Sequence, residues 1–251
     1  VSELLIPAAV VGLVVVASAL QRVTGLGFAM VVSPFFVVML GPHSGVMLTN
    51  ILGGAMPLIM LAAVWRDIEW RRIAWIVPPA VLVTPLFAWV AERSHVGVLY
   101  VVVATLVILG LSAGIIASWV GRKPHDGPAA RILAGAGAGA GTVLAGVGGP
   151  AMTIYAVLAR WNPHRMAATL QPLWVAISAG ALSSKLTFSG NQTPQFHWTV
   201  WLGCLIAILV GIWIGGHLSR RVAAGTVRRL VIALAFLGAV MALVTGLVQL
   251  V

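Results

Sequence analysis

Charge is scarce in this chain, and negative charge most of all. Only 8% of the 251 residues are charged, and five are acidic, where a soluble domain carries about 25% charged residues. Glu3, Asp67, Glu69, Glu92 and Asp126 all fall in loops or at expected helix ends. They leave no obvious carboxylate relay for protons and no acidic site for a metal cation, which weighs against a cation transporter. Cysteine is nearly absent too. Cys204 stands alone in an apolar run, which excludes an intramolecular disulfide framework and a cysteine metal site. No nucleophile, base and orienting group fall in register, so no catalytic residues are assigned and an enzyme is not expected. No tail or linker is long enough for a soluble domain, and a secretory signal peptide is a poor reading of a start whose apolar character continues to the last residue.

What the chain has is apolar length. Sixty-one per cent of residues are hydrophobic, and long apolar runs recur throughout, as in an integral membrane protein in contact with the lipid bilayer. The net charge of +10 could suit nucleic acid, but its distribution, described below, fits orientation in a bilayer, and no nucleic-acid partner is expected.

The first apolar segment, Leu4 to Leu20, is broken by Gln21-Arg22-Val23-Thr24-Gly25-Leu26-Gly27-Phe28, after which Phe28 to Leu40 resumes. Shifted by 121 positions, Gly25 falls on Gly146, Gly27 on Gly148, Pro42 on Pro163 and His43 on His164. One unit used twice follows, at residues 1–121 and 122–251 of a single transmembrane domain, with a glycine break in each. Thirteen residues of helix reach only about 20 Å, short of a core of about 30 Å, so each broken segment is expected to enter and return as a re-entrant hairpin. Further spans are expected from Pro42 to about Trp65, Ile73 to Ala91 with kinking at Pro78, Pro79 and Pro85, and Val96 to Trp119. In the second half, Ile132 to Ala145 and Ala151 to Ala159 repeat the broken segment. Spans from Asn162-Pro163 to Phe188, Trp198 to Leu218 and Thr226 to Leu250 complete it, with Asn162 as a helix cap.

Charge tests this topology. With hairpins, or their two-crossing variant, one face holds Arg93 and Lys185 while the other holds twelve of the fifteen Lys and Arg, Arg22 being set aside in the break. With single crossings the split is seven against seven. The first arrangement satisfies the positive-inside rule, placing the crowded face in the cytoplasm and both termini outside. Three net crossings per half also invert the second copy. The fold class expected is therefore an all-α, polytopic membrane protein of two inverted repeats, each a glycine-broken re-entrant hairpin plus three transmembrane helices.

Paired breaks within the bilayer are candidate substrate sites. Glycine lets backbone approach a ligand, and helix N-termini at Phe28 and near Ala151 favour an anion. The substrate-binding candidates are Gln21, Arg22, Thr24, Gly25, Gly27, Phe28, Asn50, Gly146, Gly148, Gly149, Pro150 and Gln171. The competing reading of the glycines is close helix packing. Arg22 is the one charge expected deep in the membrane, where its planar fork suits an oxyanion; the alternative is that it snorkels. Asn50 and Gln171 correspond at the same offset and could donate to an anion or tie helices together. Thr24, Thr49 and Thr142 could add hydroxyls. Gly135, Gly137, Gly139 and Gly141 read as a packing stripe, since a dinucleotide loop needs a preceding strand. His43 and His164 are expected on opposite faces, so they share no metal, and Lys185 is expected to snorkel. No metal and no cofactor are assigned.

Gly25-Leu26-Gly27 with Pro34, Gly146-Val147-Gly148-Gly149-Pro150 and the Pro-His starts at Pro42 and Pro163 together resemble the TauE/SafE family of sulfite exporters and sulfonate permeases, across essentially the whole chain. The resemblance implies a transporter in the bacterial cytoplasmic (inner) membrane, carrying a small sulfur-containing anion such as sulfite or an organosulfonate by alternating access. A passive channel, a permease for another small organic anion, and a homo-oligomeric assembly stay open at this point.

Overall fold

The computed structural model describes residues 2–24, 27–116, 126–188, 193–222 and 224–250. Among these residues every extended element is helical. The helices are α1 (Ser2–Thr24), α2 (Phe28–Leu40), α3 (Pro42–Val64), α4 (Trp70–Leu82), α5 (Thr84–Arg93), α6 (Val96–Ile116), α7 (Pro128–Ala145), α8 (Gly149–Leu158), α9 (Pro163–Phe188), α10 (Trp198–Arg221) and α11 (Ala224–Leu250). Six stretches within them are long and apolar enough to cross a membrane. Large apolar side chains such as Leu58, Leu133, Trp213 and Val248 cover the outside, which in water would be an aggregation liability and in lipid is the solvated surface.

The first break is narrower than the sequence reading placed it. Gln21, Arg22, Val23 and Thr24 continue α1, because none of them disrupts the ladder and the Thr24 hydroxyl bonds back to the Leu20 carbonyl at 2.8 Å. The 23 residues of α1 reach ~35 Å, long enough for a full crossing, whereas the 13 of α2 and 10 of α8 reach ~20 and ~15 Å. The expected kink in the third span is present: α4 ends at Leu82 and α5 restarts at Thr84, with Pro85 in its first turn. Asn162 caps α9, its side-chain oxygen accepting the N–H groups of His164 and Arg165 at 3.0 and 3.2 Å.

Packing partners correspond at the 121-residue offset. α1 lies on α10, as α7 lies on α4 and α5; α2 lies on α11, as α8 lies on α6; α3 meets α9 and α6 meets α11. Small residues bring the backbones together. A Cβ added to Gly135 or Gly139 would stand 2.2 Å from the Ile76 carbonyl oxygen or 2.0 Å from that of Ala80, so the alternating glycines of α7 are a packing stripe against α4. Gly54 of α3 similarly abuts Ser178 of α9.

Two polar clusters stand at the ends of the α4–α5 segment. At its start, Asp126 accepts hydrogen bonds from Arg72 at 2.6 Å, Arg131 at 2.9 Å and the Tyr155 hydroxyl at 2.6 Å. Arg72 also pairs with Glu69 at 3.2 Å and lies 4.6 Å from the Trp161 ring centre. At the other end, Glu92 approaches His43 of α3, and Lys185 of α9 is buried, 4% exposed. The expectation that Lys185 snorkels is therefore not met: its helix face turns into the bundle.

Candidate functional site

The two breaks meet. A cavity of about 40 Å³ is lined by Gln21, Gly27, Phe28, Ala29 and Met30 from the first break, by Thr142, Gly146, Gly148 and Gly149 from the second, and by Thr49, Asn50 and Gly53 of α3 with Trp174 and Ser178 of α9. One water needs roughly 10–15 Å³ by this measure, so the space suits a few waters or one small ion.

Each break turns on a glycine with a conformation that L side chains rarely adopt. Gly27 has φ 143 and Gly146 φ 68. Beyond Gly27, the Gln21 side-chain oxygen accepts the Phe28 N–H at 2.9 Å, so Gln21 spans the break and anchors the start of α2. At the second break, the Gly146 N–H bonds to the Thr142 carbonyl and the Val147 N–H to that of Gly141, closing α7. Gly146 is then pressed against α2 and α3: a Cβ there would lie 3.0 Å from both Ser33 Oγ and Thr49 Cγ2. Ser33 donates to the Ala145 carbonyl, and Asn50 Nδ2 donates to that of Thr142 at 3.3 Å. These bonds satisfy the last carbonyls of α7, which lipid cannot do.

The N-terminal turns of α2 and α8 face the same space. A helix leaves its first N–H groups without intrahelical partners. With Phe28 held by Gln21, those of Ala29 and Met30 border the cavity, as do those of Gly148 and Gly149. The two turns approach closely, since a Cβ on Gly149 would stand 3.2 Å from Met30 Sδ. Each N-terminus carries roughly half a positive charge. Ser178 and the Asn50 amide add polar hydrogens, while Thr49 and Thr142 spend theirs on Gly45 and Ala138 carbonyls at 2.8 and 2.7 Å. Among the described residues no charged side chain lines the cavity. The arrangement suits a small anion held by backbone dipoles and neutral donors.

Of the sequence candidates, Gln21, Gly27, Phe28, Asn50, Gly146, Gly148 and Gly149 line the cavity, while Arg22, Thr24, Pro150 and Gln171 do not. Gly25 lies outside the described residues. Arg22 is exposed, its Cβ 2.7 Å from where Gly215 of α10 would carry one. Successive helix residues differ by about 100°, so with Gln21 facing the cavity Arg22 points away from it. Thr24 is spent on the Leu20 carbonyl. Pro150 packs on α6 at Gly110. Gln171 sits about one turn before Trp174 on α9, its amide nitrogen on the Ala167 carbonyl at 2.8 Å.

Sequence reasoning missed Ala29, Met30, Gly53, Trp174 and Ser178, and a signal for two of them existed. Gly53 and Trp174 are themselves 121 residues apart, as are Gln21 and Thr142, Gly27 and Gly148, and Phe28 and Gly149; all eight line the cavity.

A model of the family described as sulfite exporter TauE/SafE matches residues 10–242. The chain belongs to the TauE/SafE family. No curated protein and no solved structure matches it. A TauE/SafE protein is a membrane transporter of sulfur anions rather than an enzyme, so the cavity is weighed as a substrate site. Among the described residues no group of His, Cys, Asp and Glu could hold a metal ion.

Proposed function

We propose that this TauE/SafE protein is a secondary transporter, working as an exporter, that binds sulfite or an organosulfonate in the cavity between the two breaks. The observation that carries the proposal is the convergence of positions 121 residues apart on one space lined by helix N-termini. The N–H groups of Ala29, Met30, Gly148 and Gly149 replace the water shell of the anion, Asn50 and Ser178 orient its oxygens, and Trp174 and Phe28 close the sides. Alternating access moves one inverted repeat against the other about the α3–α9 contact, each repeat entering the bilayer with its broken segment. The correspondence of packing partners and the two-to-twelve charge split support that arrangement. The bacterial cytoplasmic membrane, with both termini outside, is the setting this reading assigns.

The test is a binding screen of purified protein with sulfite, sulfate, methanesulfonate, thiosulfate and chloride, followed by flux in liposomes. Sulfur oxyanions should bind over chloride, and flux should saturate and show counterflow; a channel would show neither. Gly148→Leu should abolish both binding and flux, since even a Cβ there meets Thr142 Oγ1 at 2.5 Å and Trp174 at 2.8 Å. Wild-type binding by folded Gly148→Leu protein would remove the cavity from the mechanism.

A further inference from the structure

We infer that His43, Glu92 and Lys185 form a proton-binding site linked to the anion cavity, an inference that rests on the cavity being the substrate site. His43 Nδ1 and Glu92 Oε2 are 3.9 Å apart, beyond hydrogen-bond distance, and both atoms are buried without a hydrogen-bond partner. Buried polar atoms that serve only to brace a fold are nearly always hydrogen-bonded. Lys185, 4% exposed, lies close enough for its charge to act on both groups, and among the described residues it makes no hydrogen bond or ion pair. This is an imidazole and a carboxylate facing each other, their side chains 20% and 31% exposed, with a cation beside them and no proton fixed between them.

Among the described residues the surroundings add no other charge. On the segment of Glu92 itself, Arg93 lies 4.1 Å from the Trp89 ring centre and His95 is exposed. From α3 comes His43 and from α9 comes Lys185. α7, which also packs on α5, has its one charged residue, Arg131, at its far end beside Asp126, and α2, which packs on α3, carries none. Arg71 and Arg72 start α4, about 30 Å of helix away from Glu92.

The link to the cavity runs along two helices. His43 precedes Asn50 by seven residues on α3, and Lys185 follows Ser178 by seven on α9. Asn50 and Ser178 both line the cavity, and α3 and α9 touch beside it at Gly54. Seven residues are about 10 Å of helix. One proton taken from water by the His43–Glu92 pair makes the cluster more positive by one charge, and an anion in the cavity then sees that charge at about this distance. Thermodynamic reciprocity requires the anion to raise the proton affinity of the cluster in turn. Proton and anion therefore favour each other's binding. A monovalent anion moved with one proton is an electroneutral pair, driven by the sum of the anion and proton gradients.

The experiment titrates the purified full chain with sulfate and with methanesulfonate, neither of which changes charge near neutral pH. Binding heats measured in buffers of different ionisation enthalpy count the protons taken up. Wild-type protein should take up a fraction of a proton per anion, and its affinity should fall on the order of tenfold in all as pH rises through the imidazole range. Glu92→Gln should still bind, with no proton uptake and a flat pH profile. Lys185→Gln should move the midpoint of uptake to higher pH, by about one unit, because a cation that opposed protonation is gone; a structural lysine would leave the midpoint in place. Anion binding without proton uptake in the wild type, or uptake that persists in folded Glu92→Gln, overturns this inference and leaves the cavity intact. Failure of both probes to bind overturns the cavity reading and this inference together.

Discussion

Asp126 and Glu92 stand at opposite ends of one segment and show two uses of a carboxylate. Asp126 is bound by three donors at 2.6 to 2.9 Å, and these link the seam between the halves to α4, α7 and α8. The hydrogen bond from Arg131 foremost, with the Tyr155 hydroxyl and the charges of Arg72 and Arg131, holds its carboxyl down at about 2 against the opposing effect of burial. Glu92 faces His43 at 3.9 Å without a hydrogen bond. A satisfied network locks one geometry, whereas an unsatisfied one is responsive. The scarce acids of this chain are therefore not equivalent: one braces the fold and the other is placed to exchange a proton.

The comparison is broken most completely if the two ends do not lie on opposite faces of the membrane. With Cys204 replaced by serine, cysteines at Gly127 and Gly225 should be labelled only from the cytoplasm, and cysteines at His95 and Gln195 only from outside. Gly127 and Gly225 have nothing within 4 Å of an added Cβ, so the substitutions are tolerated. The expected effect is all-or-none, and labelling of Gly127 and His95 from one face would abolish both the contrast and the inverted repeat.

A smaller effect is expected in stability. Asp126→Ala leaves Arg72 and Arg131 without their shared partner in an enclosed site and should cost about 2 kcal/mol, or roughly 5 °C in thermal midpoint for a chain of this size. Glu92→Gln should cost less than about 1 kcal/mol, since no hydrogen bond is lost. Thermal unfolding in detergent measures both, and a larger cost for Glu92→Gln would reverse the assignment of brace and exchanger.

The smallest effect is one of pH. The folded-state pKa of Asp126 lies below the usual carboxylate value, so its contribution is fully present above about pH 4 and is lost as pH falls through about 2. Discounted for partial contact with water, it amounts to about 1 kcal/mol. Wild-type protein should lose that much more stability than Asp126→Asn across this window, and equal losses would show that the network does not set the acid sensitivity of the fold.

Much of the site was legible because glycine and proline act locally. Gly27 and Gly146 need backbone conformations that few other residues take, and the 121-residue spacing put Gly27 with Gly148 and Phe28 with Gly149. The same offset applied to Gly53 finds Trp174. It misleads at Asn50 and Gln171, where only Asn50 reaches the cavity. Arg22 misled for another reason: sequence position says how deep a residue lies along a helix, but the azimuth of α1 depends on its packing against α10 at Gly211 and Gly215.

Composition by itself determined that the chain lives in lipid, since a surface this apolar has no stable place in water. Periodic breaks determined where helices end, because a proline lacks its N–H and a glycine lacks its Cβ wherever they occur. The tertiary structure alone decided which side chains share a space. It turned Gln21 inward and Arg22 outward, buried Lys185 beside Glu92 and His43, and set Asp126 among Arg72, Arg131 and Tyr155. Apart from the local Asp126–Arg131 pair, five positions apart, these pairings join residues from tens to more than a hundred positions apart, and only helix-on-helix packing fixes the rotation that brings them together.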